Sequence, residues 1–159
     1  MNILIVAVGK CKETFINEGI AEYKKRLSRQ GSLEIVEVKD EKTPEQASEK
    51  ENEQVKNTEG ERILKKIPER GYVIALDPGG RMISSEQLAA TFQDLAVQGT
   101  STIVFVIGGS LGLSGEVLKR ADFKWSFSAL TFPHQLIRLM LTEQIYRAVQ
   151  INAGSPYHK

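Results

Sequence analysis

With 159 residues, 41% of them hydrophobic and 26% charged, the chain is large enough for one soluble domain with a buried core. Its formal net charge of +1 excludes a strongly basic or acidic protein, and no stretch approaches the roughly 20 apolar residues that cross a bilayer. The apolar start lacks a signal peptide's basic region and cleavage site, and the single cysteine, Cys11, cannot form an internal disulfide, so we predict a cytoplasmic protein.

The first half of the chain predicts two strands and two helices. The apolar run 2–8 is typical of a strand buried on both faces. Apolar residues at helical spacing predict a helix over 13–29, and a partly alternating strand follows at 33–38. The segment Thr43-Pro44-Glu45-Gln46 has the pattern of a capped helix start, so a second, polar helix is predicted over 43–67.

The second half continues the same alternation with three strands and three helices. The predicted elements are a strand at 72–76, a helix that begins at the capping box Ser84–Gln87, a strand at 102–107, a short helix at 115–121, a short strand at 124–126 and a last helix at 133–151. Strands that alternate with helices predict an α/β fold, with a mostly parallel sheet and helices on both of its faces.

Three loops follow strands of this sheet at the edge where open parallel sheets bind ligands. They begin after Leu76, after Ile107 and after Ser126. The second loop, Gly108–Gly112, is either a tight turn or a place where backbone amides approach a ligand. It has neither a Walker pattern nor a dinucleotide fingerprint, which disfavours a nicotinamide site. The third loop, 127–134, is either a simple strand-to-helix connection or an apolar slot for a flat purine.

The last helix is apolar around most of its circumference, which predicts that it lies centrally or against a second subunit of a homodimer. His134 and Arg138 share one face of it. Arg138 lies near the positive end of the helix, where a phosphate or an internal acid would balance it. The tail Tyr157–Lys159 combines a phenol, an imidazole and an ammonium, although chain ends are often frayed. Two histidines and one cysteine do not have the spacing of metal ligands, so no metal is predicted.

Several short segments form a recognisable pattern along the whole chain. They are Ala7–Lys10, Leu76-Asp77 followed by Ser84–Glu86, Phe105–Ser110, Ser126–Ser128, Thr131–Gln135, Glu143–Ala148 and Tyr157–Lys159. In this order and at this length, the chain resembles the ribosomal RNA large subunit methyltransferase H family of the SPOUT superfamily. The C-terminal half carries the most specific part of the resemblance.

The resemblance implies a single domain over 1–159 whose C-terminal part, about 72–159, is threaded into a trefoil knot, an exception to the usual absence of knots. It also implies a homodimer that binds S-adenosylmethionine in the knot. The implied substrate is a pseudouridine of 23S ribosomal RNA in the assembled ribosome, methylated at N3; DNA and membranes are not implied as partners.

The resemblance also implies which residues form the site. The cofactor would be held by Leu76, Gly108, Phe127, Ser128, Ala129, Leu130, Thr131 and Phe132. Tyr157 and His158 would act on the RNA, with His158 as the base that removes the N3 proton, because imidazole titrates nearest to neutral pH. Arg138, His134 and Lys159 would contact the RNA.

Two alternatives remain at this point. A non-enzymatic ribosome-associated factor on the same fold predicts that S-adenosylmethionine does not bind. A flavodoxin-like nucleotide or flavin enzyme would explain the alternation of strands and helices, but it requires a phosphate-binding loop after the first strand. The segment Gly9-Lys10-Cys11-Lys12 is a poor candidate for such a loop.

Overall fold

The computed structural model describes all 159 residues, which form one sheet of five strands and five helices. The strands are β1 (Asn2–Val8), β2 (Ser32–Val38), β3 (Tyr72–Arg81), β4 (Thr102–Ile107) and β5 (Phe123–Trp125). The helices are α1 (Thr14–Leu27), α2 (Glu49–Leu64), α3 (Ser85–Val97), α4 (Gly115–Arg120) and α5 (His134–Asn152). The strand order is β2-β1-β4-β3-β5, and every neighbouring pair is parallel.

The sheet is buried on both faces because it lies between two layers of helices. Side chains of β4 alternate between the layers, so Phe105 packs on one side and Val104 and Val106 on the other. The first layer contains α1, α3 and α5, and the second contains α2 and α4. The predicted parallel sheet with helices on both faces is therefore confirmed. The trefoil knot stays a prediction.

None of the five helices combines the length and the apolar character that a membrane crossing requires. The last helix, α5, packs between α1 and α3 and buries Leu141, Ile145 and Ala148 toward the sheet. Its other apolar residues, such as Met140 and Tyr146, are half-buried within the single chain. The homodimer predicted from this helix stays a prediction.

The start of α2 differs from the prediction. The helix begins at Glu49 and is capped by Ser48, whose hydroxyl accepts a hydrogen bond from the Glu51 amide at 3.1 Å. The Ser48 amide donates in turn to the Glu51 carboxylate at 3.2 Å, which completes a capping box. Gln46 has a φ of 53°, a left-handed conformation that a continuous helix does not contain. The start predicted at Thr43 is therefore wrong, because a second capping pattern lies five residues further on.

Strand β3 is longer than predicted, since it continues through the segment predicted as a loop after Leu76. A register shift lets both Leu76 and Arg81 pair with Trp125 of β5. A Cβ atom at Gly80 would lie 2.5 Å from the backbone carbonyl of Lys124, so only glycine fits this close approach. Pairing with β5 thus holds the end of β3 against the loop that follows β5.

Candidate functional site

Of the three segments predicted to hold a ligand, two are loops that follow β4 and β5, and the third, after Leu76, is the continuation of β3. In the register of the sheet, Ala75 of β3 pairs with Val106 of β4, and Leu76 pairs with Trp125 of β5. Leu76 is therefore at the same level as the end of β4 and the end of β5. The structure brings Leu76, Gly108 and the segment 127–132 to one edge of the sheet.

The loop after β4 is a tight turn in which three of the five residues 108–112 are glycine. The Gly112 amide donates a hydrogen bond to the Gly109 carbonyl at 3.0 Å, and Gly112 has a φ of 87°. A Cβ atom at Gly108 would lie 2.9 Å from the Gly112 carbonyl carbon and 3.0 Å from a methyl carbon of Leu113. The turn therefore requires glycine at position 108. The three glycines of the turn contribute only backbone groups to this part of the edge.

The loop after β5 is held by a hydrogen bond to the end of β3 and by hydrogen bonds within the loop. The Ser126 amide donates to the Arg81 carbonyl at 2.9 Å, and the Leu130 amide donates to the Ser128 hydroxyl at 3.0 Å. The ring of Phe127 packs on Trp125 with its centroid 4.8 Å away, whereas Leu130 is 71% exposed. The loop thus combines an aromatic ring fixed on Trp125 with an exposed apolar tip at Leu130 and an exposed Thr131.

Arg138 does not lie on the surface, and the prediction that it contacts RNA phosphates is contradicted. Its side chain is only 2% exposed and forms an ion pair with Glu37 of β2. It also donates to the carbonyls of Val8 at 3.1 Å and Gly9 at 2.7 Å. The sequence left open whether a phosphate or an internal acid balances Arg138, and the structure shows an internal acid, Glu37. The end of β1 encloses the guanidinium. His134 and Lys159 are exposed.

The C-terminal tail folds back on α5 and α3 of its own chain. The Tyr157 hydroxyl donates to the Glu143 carboxylate at 3.0 Å, and the Arg147 guanidinium lies 4.7 Å from the centre of the Tyr157 ring. The His158 ring lies between two charged groups, with Nδ1 3.0 Å from Arg147 and Nε2 2.6 Å from Glu86. The tail is therefore held in place and does not fray.

The contacts of the tail give its two ring side chains, Tyr157 and His158, different chemical surroundings. Burial, together with the hydrogen bond to Glu143, raises the pKa of Tyr157 to about 12. The phenol therefore stays protonated near neutral pH and acts as a hydrogen-bond donor. The hydrogen bond with His158 lowers the pKa of Glu86, which keeps that carboxylate ionised beside the imidazole.

Sequence reasoning assigned no role to Glu86, Glu143 or Arg147, although these residues hold the tail. Glu143 and Arg147 are four apart on α5 and form an ion pair at 2.8 Å. That spacing was a visible signal for the pair. Glu86 stands in the segment Ser84–Glu86 of the family pattern, but nothing in the local sequence indicates its contact with His158, which lies 72 positions later and on another part of the chain.

The fold and the whole-chain match define the class of protein. A family model described as a predicted SPOUT methyltransferase matches residues 1–158. A probable methylase family protein from Haemophilus influenzae has a similar solved structure, with a TM-score of 0.53 and 15% sequence identity, covering 99% of this chain and 70% of that one. At that identity the likeness concerns the fold alone. The class is the SPOUT methyltransferases.

Curated relatives narrow the class further. A protein of Clostridioides difficile named ribosomal RNA large subunit methyltransferase H is 60% identical over 159 residues, which is 100% of both chains. A protein of the same name from Clostridium novyi is 59% identical, again over the full length of both chains. The chain belongs to the ribosomal RNA large subunit methyltransferase H family, so the resemblance stated from its motifs is confirmed.

Proposed function

We propose that this protein methylates N3 of a pseudouridine in 23S ribosomal RNA, that it acts on assembled ribosomes, and that it works as a cytoplasmic homodimer. Its family makes it a ribosomal RNA methyltransferase that uses S-adenosylmethionine. The observation that carries the proposal is identity of up to 60% to such relatives over the entire chain. The finer parts of the proposal are the pseudouridine as the methylated nucleotide, N3 as the methylated atom, the assembled ribosome as the substrate, and the homodimer.

We place the cofactor at the edge formed by Leu76, Gly108 and the segment 127–132. The groups available there fit a flat adenosine: backbone amides and carbonyls of the turn after β4, the Ser128 and Thr131 hydroxyls, and an apolar loop tip. We propose that the threading of the chain into a trefoil knot encloses these loops. When bound, the sulfonium supplies an activated methyl group for in-line displacement, which depends on positioning.

The residues proposed for the RNA are His158 and Tyr157, with His134 and Lys159 as surface contacts. Arginine only donates hydrogen bonds, so Arg147 at Nδ1 favours a neutral His158 ring whose Nε2–H donates to Glu86. Such a ring can accept a proton at Nδ1 once it leaves Arg147. Tyr157, which stays protonated, supplies a stacking surface and a donor. The proposal therefore requires the tail to exchange contacts on its own helix for contacts with RNA.

The function is tested with ribosomes that lack the modification. The full-length protein is incubated with methyl-labelled S-adenosylmethionine and either assembled ribosomes or free 23S RNA, and the labelled nucleotide is identified by mass spectrometry. We expect label on N3 of one pseudouridine, and only with assembled ribosomes. Label on another atom or on free RNA would overturn the corresponding part of the proposal. Failure to bind S-adenosylmethionine in calorimetry would favour the non-enzymatic alternative.

The role of His158 is tested by replacing it with alanine. We expect the single-turnover methylation rate at saturating RNA to fall by about 10²- to 10⁴-fold, the usual contribution of a general base, with little change in cofactor affinity. Lys66→Ala is the control, since Lys66 is an exposed residue beyond the end of α2 that has no part in the proposed site. A rate for His158→Ala equal to that of the control would remove His158 as the base.

A further inference from the structure

Only two charged side chains of the chain are buried, Arg138 and Glu59. Arg138 has a carboxylate partner, whereas Glu59, at 4% exposure, has no ion pair. Its one hydrogen bond comes from the Glu41 amide, which donates to Oε2 at 2.9 Å. The nearby guanidinium of Arg62 pairs with the Glu41 carboxylate instead. Because a buried carboxylate without a counter-ion reduces stability, a functional reason for its presence is indicated.

Glu59 lies directly against the loop assigned to the cofactor. A Cβ atom at Gly109 would be 3.2 Å from Oε1 and 3.3 Å from Oε2 of Glu59, and 3.2 Å from the side chain of Val8. The carboxylate is therefore packed against the backbone of the turn after β4. It lies at the carboxyl ends of β1 and β4, on the face of the sheet covered by α2.

The position of this carboxylate is fixed by its neighbours on α2. The next residue, Gly60, lies so close to the Ser114 hydroxyl that no side chain would fit between them. Ser114 in turn caps α4, accepting a hydrogen bond from the Val117 amide at 3.3 Å. Helix α2 is thus held against both ends of the segment that runs from the Gly-rich turn to α4, and Glu59 cannot easily move away from the turn.

We propose that the ionised Glu59 carboxylate makes this site prefer the cationic methyl donor over its neutral demethylated product. The inference rests on the proposed placement of S-adenosylmethionine at the Gly108–Gly112 turn. A buried carboxylate attracts a cation without direct contact, because the low dielectric constant of the protein interior screens the charge only weakly. Glu59 is then a positioning residue, since it acts on the cofactor through the loop and through space.

The change of charge occurs in the reaction itself. As the deprotonated N3 nitrogen attacks the methyl carbon, a nitrogen–carbon bond forms and the carbon–sulfur bond breaks, with its electron pair left on sulfur. The sulfonium becomes the neutral thioether of S-adenosylhomocysteine. The attraction to Glu59 at the sulfur is then lost, so the site binds the product less well than the donor that replaces it.

The ionisation of Glu59 gives the proposal a consequence for stability. Burial raises the pKa of Glu59, partly offset by the hydrogen bond from the Glu41 amide; Asp40 and Glu41 add to the rise, and Arg62 opposes it. A carboxylic acid with a raised pKa in the folded state favours folding at low pH and loses that contribution as the pH rises through the raised value. Glu59→Gln should therefore leave the protein equally stable or more stable at neutral pH.

The test compares two ligands on the full-length protein by calorimetry at neutral pH. Glu59→Gln keeps the shape and an oxygen for the Glu41 amide but removes the charge. We expect the affinity for S-adenosylmethionine to fall about three- to tenfold. The affinity for S-adenosylhomocysteine, whose sulfur is neutral, should change by less than about twofold, which is no more than the loss of a distant surface charge would cause. The matched control, Glu61→Gln, removes an exposed charge two residues along the same helix and should change neither affinity.

The other results overturn the proposal. Equal weakening of both ligands in Glu59→Gln would mean that Glu59 only shapes the turn, and unchanged affinities would mean that its charge does not act on the site. Should Glu59→Gln not fold, Glu59→Asp keeps the charge and must keep the wild-type preference for the cationic ligand. Wild-type protein that binds neither ligand would instead overturn the proposed cofactor site, and this inference with it.

Discussion

Replacing Arg138 with alanine is expected to lower the free energy of unfolding by about 3 kcal/mol, the lower end of the range for breaking a buried ion pair. The loss comes from the ion pair with Glu37 and from two backbone carbonyls, those of Val8 and Gly9, that would be left without this donor. The Glu37 side chain is 37% exposed and can be hydrated, which keeps the loss from being larger. Urea unfolding followed by circular dichroism measures it.

The control for this variant is Arg26→Ala. Arg26 also pairs with a glutamate, Glu22, but both side chains are about half exposed, so we expect little change in stability. A loss in Arg138→Ala no greater than in Arg26→Ala would contradict the structural role. If Arg138→Ala instead kept its stability and lost RNA affinity, the original assignment of Arg138 to phosphate contact would be restored.

The second large effect is expected at Gly108. Alanine there would place Cβ within 2.9–3.0 Å of the Gly112 carbonyl group and of Leu113, so the turn after β4 must open. Overpacking of this kind costs about 1–3 kcal/mol. If the turn needs its closed shape to bind S-adenosylmethionine, this free-energy cost weakens binding. The affinity should then fall by about tenfold or more, as calorimetry would measure.

Gly115→Ala is the matched control for Gly108→Ala. Gly115 begins α4, and a Cβ atom there would have no neighbour within 4 Å. Since alanine favours the helix, this variant should bind the cofactor normally and be at least as stable as the wild type. Normal binding by a folded Gly108→Ala protein would exclude the turn from the cofactor site. Thermal unfolding of both variants separates an effect on the site from a general loss of structure.

Much of the fold was predictable because it depends on short-range patterns. The strands at 2–8 and 102–107 were predicted with their observed bounds, since short continuous apolar runs are typical of strands buried on both faces of a sheet. The capping box at Ser84 correctly predicted the start of α3. The segments after Leu76, Ile107 and Ser126 were predicted to share an edge, because parallel strands end on the same side.

Local patterns were insufficient where two of them competed or where a distant partner decided the outcome. Ser48 caps α2 in preference to Thr43, and β3 continues past Leu76 because β5 is available to pair with it. The charged contacts depend on tertiary structure throughout. Arg138 meets Glu37, 101 positions away, and His158 meets Glu86, 72 positions away.

The sequence by itself determined the α/β alternation, most element bounds, the loops that form the candidate site and the family. Each of these follows from residues that are adjacent or a few positions apart, or from the order of motifs along the chain. Only the tertiary structure decided that Arg138 is buried, that the tail is held by Glu143, Arg147 and Glu86, and that Glu59 lies under the Gly-rich turn. The physical reason is that a charged side chain takes its role from the groups around it, and the strand order determines which groups those are.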